Sequence, residues 1–280
     1  MKLSYAISLH DTSHDLFARG DYREQISWLS RLGYQGVELG IKDPGKVRQS
    51  CPDLENILAS SKMEVSAIGT GQSFIDEHLS LSSADPETRL LATNRLKDVI
   101  DFAENLHTNV IVGLIRGCAG GLRSLDDFLE SMKLVCDHAA KKAVTVLLEP
   151  LNRNETNVLN TAAEATEFIK RIGSGNLRLL LDTFHMSIEE DDLPQVIMNA
   201  RNFIGHIHLA DDHRECPGEG NIDFLSVLSA LKMVEYNKYL TCEIKSSFDF
   251  KTSSRNYFKF MTELKDRLEN SFYTKKAKVL

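Results

Sequence analysis

The stretch VTVLLEPLNRNETNVLNTAAEATEFIKRIGSGNLRLLLDTF, residues 144–184, decides the fold. Its two ends, VTVLLEPL (144–151) and LRLLLDTF (177–184), are aliphatic and β-branched runs that read as strands. Between them Thr161-Ala-Ala-Glu164 is a capping-box sequence, and Ala165, Phe168, Ile169 and Ile172 form an apolar stripe at helical spacing. Strand, helix and strand in this order make a βαβ unit, whose strands run parallel.

The same unit recurs on either side. Further strand signals lie at KLSYAIS (2–8), GVELG (36–40), EVSAIG (64–69), NVIVGLI (109–115), IGHIHLA (204–210) and YLTCEIK (239–245), which brings the count to eight. Helical patterns fall near 22–32, 46–61, 87–106, 125–141, 162–172, 192–200, 222–233 and 254–270, one per strand. Eight βα units in 280 residues is the arithmetic of a (β/α)₈ TIM barrel, here expected as one domain over residues 1–280. A doubly wound open sheet competes, but it would carry a phosphate-binding glycine-rich first turn that the chain lacks. Asp11–Asp21 and Thr70–Pro86 read as polar loops after strand ends, and residues 275–280 as a loose tail.

Composition narrows the function. Hydrophobic residues make up 42% and charged ones 26%, the balance of a globular protein with a real core. A net charge of −7 with no basic stripe argues against a nucleic-acid partner. No 18-residue apolar window offers a membrane span, and the amino terminus is interrupted too early by Ser4, Ser8 and His10 to read as a signal peptide. Cys51, Cys118, Cys136, Cys216 and Cys242 are odd in number and scattered, so reduced thiols and a cytoplasmic location are expected.

A barrel interior is packed with Val, Ile and Leu, so a charged residue at the carboxyl end of a strand needs a reason. Glu149, Asp182, His208 and Glu243 occupy such positions on four consecutive strands, the fifth to the eighth. Barrel closure would gather them at one side of the mouth. Three carboxylates together repel unless a cation sits among them, and an oxygen-rich set with one imidazole suits Mn²⁺, Mg²⁺ or Co²⁺, with Mn²⁺ foremost. Glu155, His185 and Arg214 follow in the adjoining loops, where substrate is held, and His10 ends the first strand as a further candidate contact. His206 alternates with His208 and should point inward one layer deeper, as a hydrogen-bonded neighbour rather than a ligand. The run Pro217–Gly220 is a turn signal.

With these residues in view, the chain resembles the xylose-isomerase-like sugar isomerase and epimerase superfamily, and within it the tagatose/psicose-type ketose 3-epimerases. The likeness is carried by LLEPLNRNETNVLNTAAEA (147–165), LLLDTFHMSIEEDD (179–192), GHIHLADDHRECPGEG (205–220) and CEIK (242–245), with VSAIGTGQSF (65–74) and VGLIRG (112–117). It implies metal ligands Glu149, Asp182, His208 and Glu243, and substrate contacts from Glu155, His185 and Arg214. The TGQ and IRG signatures and the ETN after EPLNR resemble most the branch that includes 5-keto-L-gluconate epimerases. Relatives of this kind are often dimers or tetramers, so a homo-oligomer is expected.

The implied activity is epimerisation of a ketose or keto-uronate at C3, the carbon α to the carbonyl, through an enediolate. It needs one base on each face, and Glu149 and Glu243, from opposite flanks, fit those roles. The same machinery would serve an aldose–ketose isomerase, which is the alternative. Where the sugar epimerases place an aromatic after the last ligand, this chain has Ile244 and Lys245. Lys245 and Arg116 could therefore pair with a substrate carboxylate or phosphate.

Overall fold

The computed structural model describes residues 1–118, 120, 124–245 and 249–277. Among them eight parallel strands close in sequence order into a barrel: β1 (Lys2–Ser8), β2 (Gly36–Gly40), β3 (Glu64–Gly69), β4 (Val110–Val112), β5 (Val146–Leu148), β6 (Leu177–Asp182), β7 (Ile204–Leu209) and β8 (Tyr239–Cys242). Closure is made by β1 on β8, with Lys2 opposite Tyr239 and Tyr5 opposite Cys242. The helix after β5 spans Ala162–Ile172, and its capping box is formed: Thr161 accepts from the Glu164 backbone while Glu164 reaches back to the cap. No helix among the described residues is long and apolar enough to cross a membrane.

Sequence and structure part company where local chemistry ends an element early. The 177–184 run stops as a strand at Asp182, because the Asp182 side chain accepts from Phe184 N (2.8 Å) and caps the helix Thr183–Glu189 that begins at once. The 109–115 run yields only Val110–Val112, since Gly113 leads into a 3₁₀ turn at Leu114–Arg116. Pro52 divides the 46–61 pattern into helices Pro44–Ser50 and Leu54–Ser61. Residues 70–86, expected to be loop, contain the helix Gly71–Glu77. The last helix, Phe250–Ala277, continues through the start of the expected tail, while residues 278–280 lie outside the described residues.

The core is not uniform. Most buried apolar side chains lie between the sheet and its helices, whereas Ala67, Ile111, Leu147 and Leu180 form a separate cluster inside the barrel, on β3 to β6. Much of the remaining interior is polar: Ser4, Glu38, Ser66, His206, His208 and Thr241 are all buried. Buried polar groups need partners. Ser4 and Ser66 share a 2.7 Å hydroxyl contact, and Thr241 lies 3.0 Å from His206 Nε2.

Candidate active site

Glu149 follows β5, Asp182 ends β6, His208 lies near the end of β7 and Glu243 follows β8, so the four sit at one level of the barrel mouth. The strands put Asp182 directly opposite His208. One donor atom from each of the four falls within 4.8 Å of the others, and all four residues are buried. His208 Nδ1 lies 3.4 Å from Glu149 Oε1, 3.4 Å from Glu243 Oε2 and 4.0 Å from Asp182 Oδ2. Neither His208 Nδ1 nor Glu149 Oε1 makes a hydrogen bond, although both are fully enclosed.

The charges within this cluster are in conflict. Burial raises the Glu149 carboxyl above its ordinary value, and the nearby Glu243 adds to the shift. Asp182 is pushed up to about 7 by burial, aided by Glu243 and Glu149. Glu243 goes the other way: against its burial, His208 and Arg214 hold its carboxyl low. Burial likewise opposes the charged His208, but Glu38 and Glu243 outweigh it and raise the imidazole well above its ordinary value. A group of enclosed acids that cannot all ionise, with two unpaired ligand atoms facing one another, is the donor set that a divalent cation satisfies.

Around the acids runs a chain of hydrogen bonds. Arg214 Nη2 donates to Glu243 Oε2 and, at 3.4 Å, to Asp182 Oδ2. The backbone N–H of Asn152 donates to His185 Nδ1 (3.1 Å), so the proton of the neutral ring belongs on Nε2. That Nε2 lies 3.0 Å from Arg214 Nη1. Both ring nitrogens therefore face donors, and a neutral imidazole can accept at only one of them. Burial and the Arg214 charge hold His185 far below its ordinary value, which keeps it neutral. Asn152 Nδ2 also donates to Glu155 Oε1 (3.1 Å), bringing Glu155 to the same rim.

Glu149, Glu243, His185, Arg214 and Glu155 line an inner chamber of about 20 Å³, room for an ion or one water. An outer chamber of about 380 Å³ adjoins it, sharing Arg214 and Glu155 and reaching Phe184 and the exposed Lys245. Arg214 stacks over Phe184 with its guanidinium carbon 4.6 Å from the ring centre. Arg214, in the loop after β7, adopts a left-handed backbone conformation (φ 59°).

Two expected contacts are not at this site. Arg116 is wholly buried and lines neither chamber. It donates from Nε to Gly113 O (3.1 Å) and from Nη1 to Val158 O (3.1 Å) and Leu159 O (3.2 Å), tying the loop after β5 to the end of β4. His10 also lines neither chamber; in its place His14, four residues on, lines both. His14 Nδ1 accepts from Leu16 N (3.3 Å), which leaves Nε2–H as the free donor. Pro217–Gly220 is held as a turn by Asp211, which accepts from Gly218 N and Gly220 N at 2.9 Å each.

Sequence reading also passed over Glu38. This carboxylate lies fully buried inside β2, 3.0 Å from both His206 Nε2 and His208 Nε2. It lies in the middle of GVELG, not at the carboxyl end of its strand, so the rule that singled out the other acids did not reach it. His206 occupies the deeper, hydrogen-bonded position expected of it.

A family model described as xylose isomerase-like TIM barrel matches residues 26–263. The L-ribulose 3-epimerase of Methylomonas sp. (strain DH-1) is 30% identical over 249 residues, 84% of this chain and 84% of that protein. The 3-dehydro-D-guloside 4-epimerase of Escherichia coli (strain K12) is 28% identical over 251 residues, 83% of this chain and 90% of the relative. A solved structure titled L-ribulose 3-epimerase superposes with a TM-score of 0.80 at 25% identity, covering 96% of this chain and 97% of that one.

Proposed function

We propose an activity for this chain from a plain premise: it belongs to the xylose isomerase-like TIM barrel family. Within that family it is a sugar epimerase, and the finer reading is a divalent-metal-dependent 3-epimerase of ketoses or keto-uronates. Relatives named as ketose 3-epimerases support the reaction class. The observation that carries the site is the enclosed set of Glu149, Asp182, His208 and Glu243, with two ligand atoms lacking any other partner.

Those four residues would hold the cation, Mn²⁺ foremost with Mg²⁺ and Co²⁺ as alternatives. Bound there, it would supply Lewis-acid stabilisation of the oxygen charge that develops when the carbon next to a carbonyl loses its proton. The chain's own residues do the rest. Glu149 takes the C3 proton on one face, and Glu243 returns one on the other, with the roles exchanged in reverse. Arg214 steadies Glu243 through their hydrogen bond. His185 and Arg214 line the inner chamber side by side, where either N–H would meet a substrate oxygen as negative charge grows on it. Glu155 faces the neighbouring hydroxyls, and Lys245, at the outer chamber, meets the far end of the sugar, where it favours a carboxylate.

The test is turnover with Mn²⁺ in D₂O across neutral ketoses, ketose phosphates and keto-uronates, followed by NMR. Deuterium at C3 with inversion is the expected result. Deuterium at C1 or C2 with aldose formation would replace the epimerase with the aldose–ketose isomerase, which shares both bases.

A further inference from the structure

His208 faces the acid cluster through Nδ1, and what its other nitrogen does decides how that face is presented. His208 Nε2 lies 3.0 Å from Glu38 Oε2, and the same oxygen lies 3.0 Å from His206 Nε2. Glu38 sits on β2 and both histidines on β7, strands that are not neighbours, so the contact crosses the barrel interior. Small register partners, Ala6 on β1 and Ala67 on β3, flank Glu38 and leave space for its side chain to cross. His206 is held in turn by Thr241 Oγ1, 3.0 Å from the same Nε2.

The geometry points to Glu38 as a positioning residue for the metal site: its carboxylate receives the His208 Nε2–H, fixes the tautomer and ring plane, and thereby aims the Nδ1 lone pair at Glu149, Asp182 and Glu243. A ligating histidine whose second nitrogen donates to a carboxylate is a better-oriented and more basic ligand, and losing such a partner commonly weakens metal binding about 10–100-fold. Glu38 touches neither chamber, so it acts only through His208. His206, two residues before His208 on β7, lies one layer deeper and holds the same oxygen. It anchors the carboxylate at the angle that His208 needs. The inference rests on the divalent-cation reading of the mouth residues.

The experiment is calorimetric titration of Mn²⁺ into metal-stripped wild type, Glu38→Gln and Thr241→Val, with circular dichroism on each. Wild type should bind one Mn²⁺ per chain, Glu38→Gln about 10–100-fold more weakly, and Thr241→Val within threefold of wild type. Equal affinity in wild type and Glu38→Gln overturns the positioning role alone. So does an equal loss in Thr241→Val, which would mean general packing of the buried cluster. Two Mn²⁺ per wild-type chain would make Glu38, His206 and His208 a ligand set in their own right and overturn it too. Wild type that binds neither Mn²⁺, Mg²⁺ nor Co²⁺ overturns the metal site itself, and this inference with it. A measurement on wild type needs no folded variant: ¹⁵N-histidine NMR with Mg²⁺ should find the His208 proton on Nε2. Finding it on Nδ1 overturns the proposal.

Discussion

The two halves of the barrel mouth are built on opposite principles. In β5 to β8 the terminal positions carry Glu149, Asp182, His208 and Glu243. In β1 to β4 the corresponding positions are Ser8, Gly40, Gly69 and Gly113. The small residues are there because space is taken by something else. A Cβ on Gly40 or Gly69 would stand 2.8 Å or 2.7 Å from the Phe17 ring, and one on Gly113 would stand 2.5 Å from Glu149 Oε2. One half supplies charge and the other supplies room, Gly40 and Gly69 for the Phe17 ring and Gly113 for the Glu149 carboxylate.

That contrast can be broken from either side. The largest effect is expected from the charged half: Glu149→Gln and Glu243→Gln should each lower turnover by about 10²–10⁴-fold, the range for removing a general base. Substantial activity in either variant would end the two-base scheme. Gly113→Ala comes next. Its Cβ would displace the Glu149 carboxylate without removing it, and misplacement by an ångström can cost about 10²-fold, so kcat should fall while Tm stays near wild type. Full turnover in Gly113→Ala would mean that the glycine half is dispensable.

Smaller effects sharpen the comparison at the rim. Lys245→Ala should raise KM for keto-uronates by about tenfold, one lost charge pair, and leave KM for neutral ketoses unchanged; equal KM values for both classes would remove Lys245 from substrate recognition. The least effect should come from Asp76, which joins the two polar loops of the small-residue half. Asp76 accepts from Ser13 Oγ (2.7 Å) and pairs with Lys42 Nζ (3.0 Å). Burial works against its charge, yet Ser13, Thr12 and Lys42 hold its carboxyl well below the usual range. A folded-state carboxyl below its unfolded value stabilises the fold above roughly pH 4 and loses that contribution as pH falls through the folded value. Asp76→Asn should therefore lower Tm by about 2–4 °C at neutral pH, and the gap to wild type should narrow in acid. A gap that stays constant down to pH 2 would show that the carboxylate charge is not what ties these loops.

How much of this could be read from residues alone follows the same divide. The acids after β5 to β8 were legible because each interrupts an aliphatic run, an anomaly that needs no coordinates to notice. The opposite half gave no such signal, since a glycine at a strand end reads as an ordinary stop. His10 and His14 lie in one loop, and nothing linear says which of them turns inward. Arg116 was a candidate anion partner because the chain lacks the aromatic that follows the last ligand in the sugar epimerases, whereas three carbonyl oxygens of its own and the neighbouring loop take its Nε and Nη1. Glu38 stood alone in the middle of GVELG, away from the strand end and with no neighbouring motif to draw attention to it.

The sequence by itself determined the alternation of strands and helices, hence the closed barrel, and the identity of the four residues that charge its mouth. Both are local properties: periodicity and the cost of an acid among aliphatic neighbours are written in consecutive positions. Only the tertiary structure decided which polar residues meet. Glu38 reaches His208 across 170 positions, Arg214 reaches Glu243 across 29, and Gly113 makes room for Glu149 from a different strand. Closure of the barrel converts those separations into contacts, because it places strands that are distant in the chain around one axis, where hydrogen bonding and excluded volume act through space.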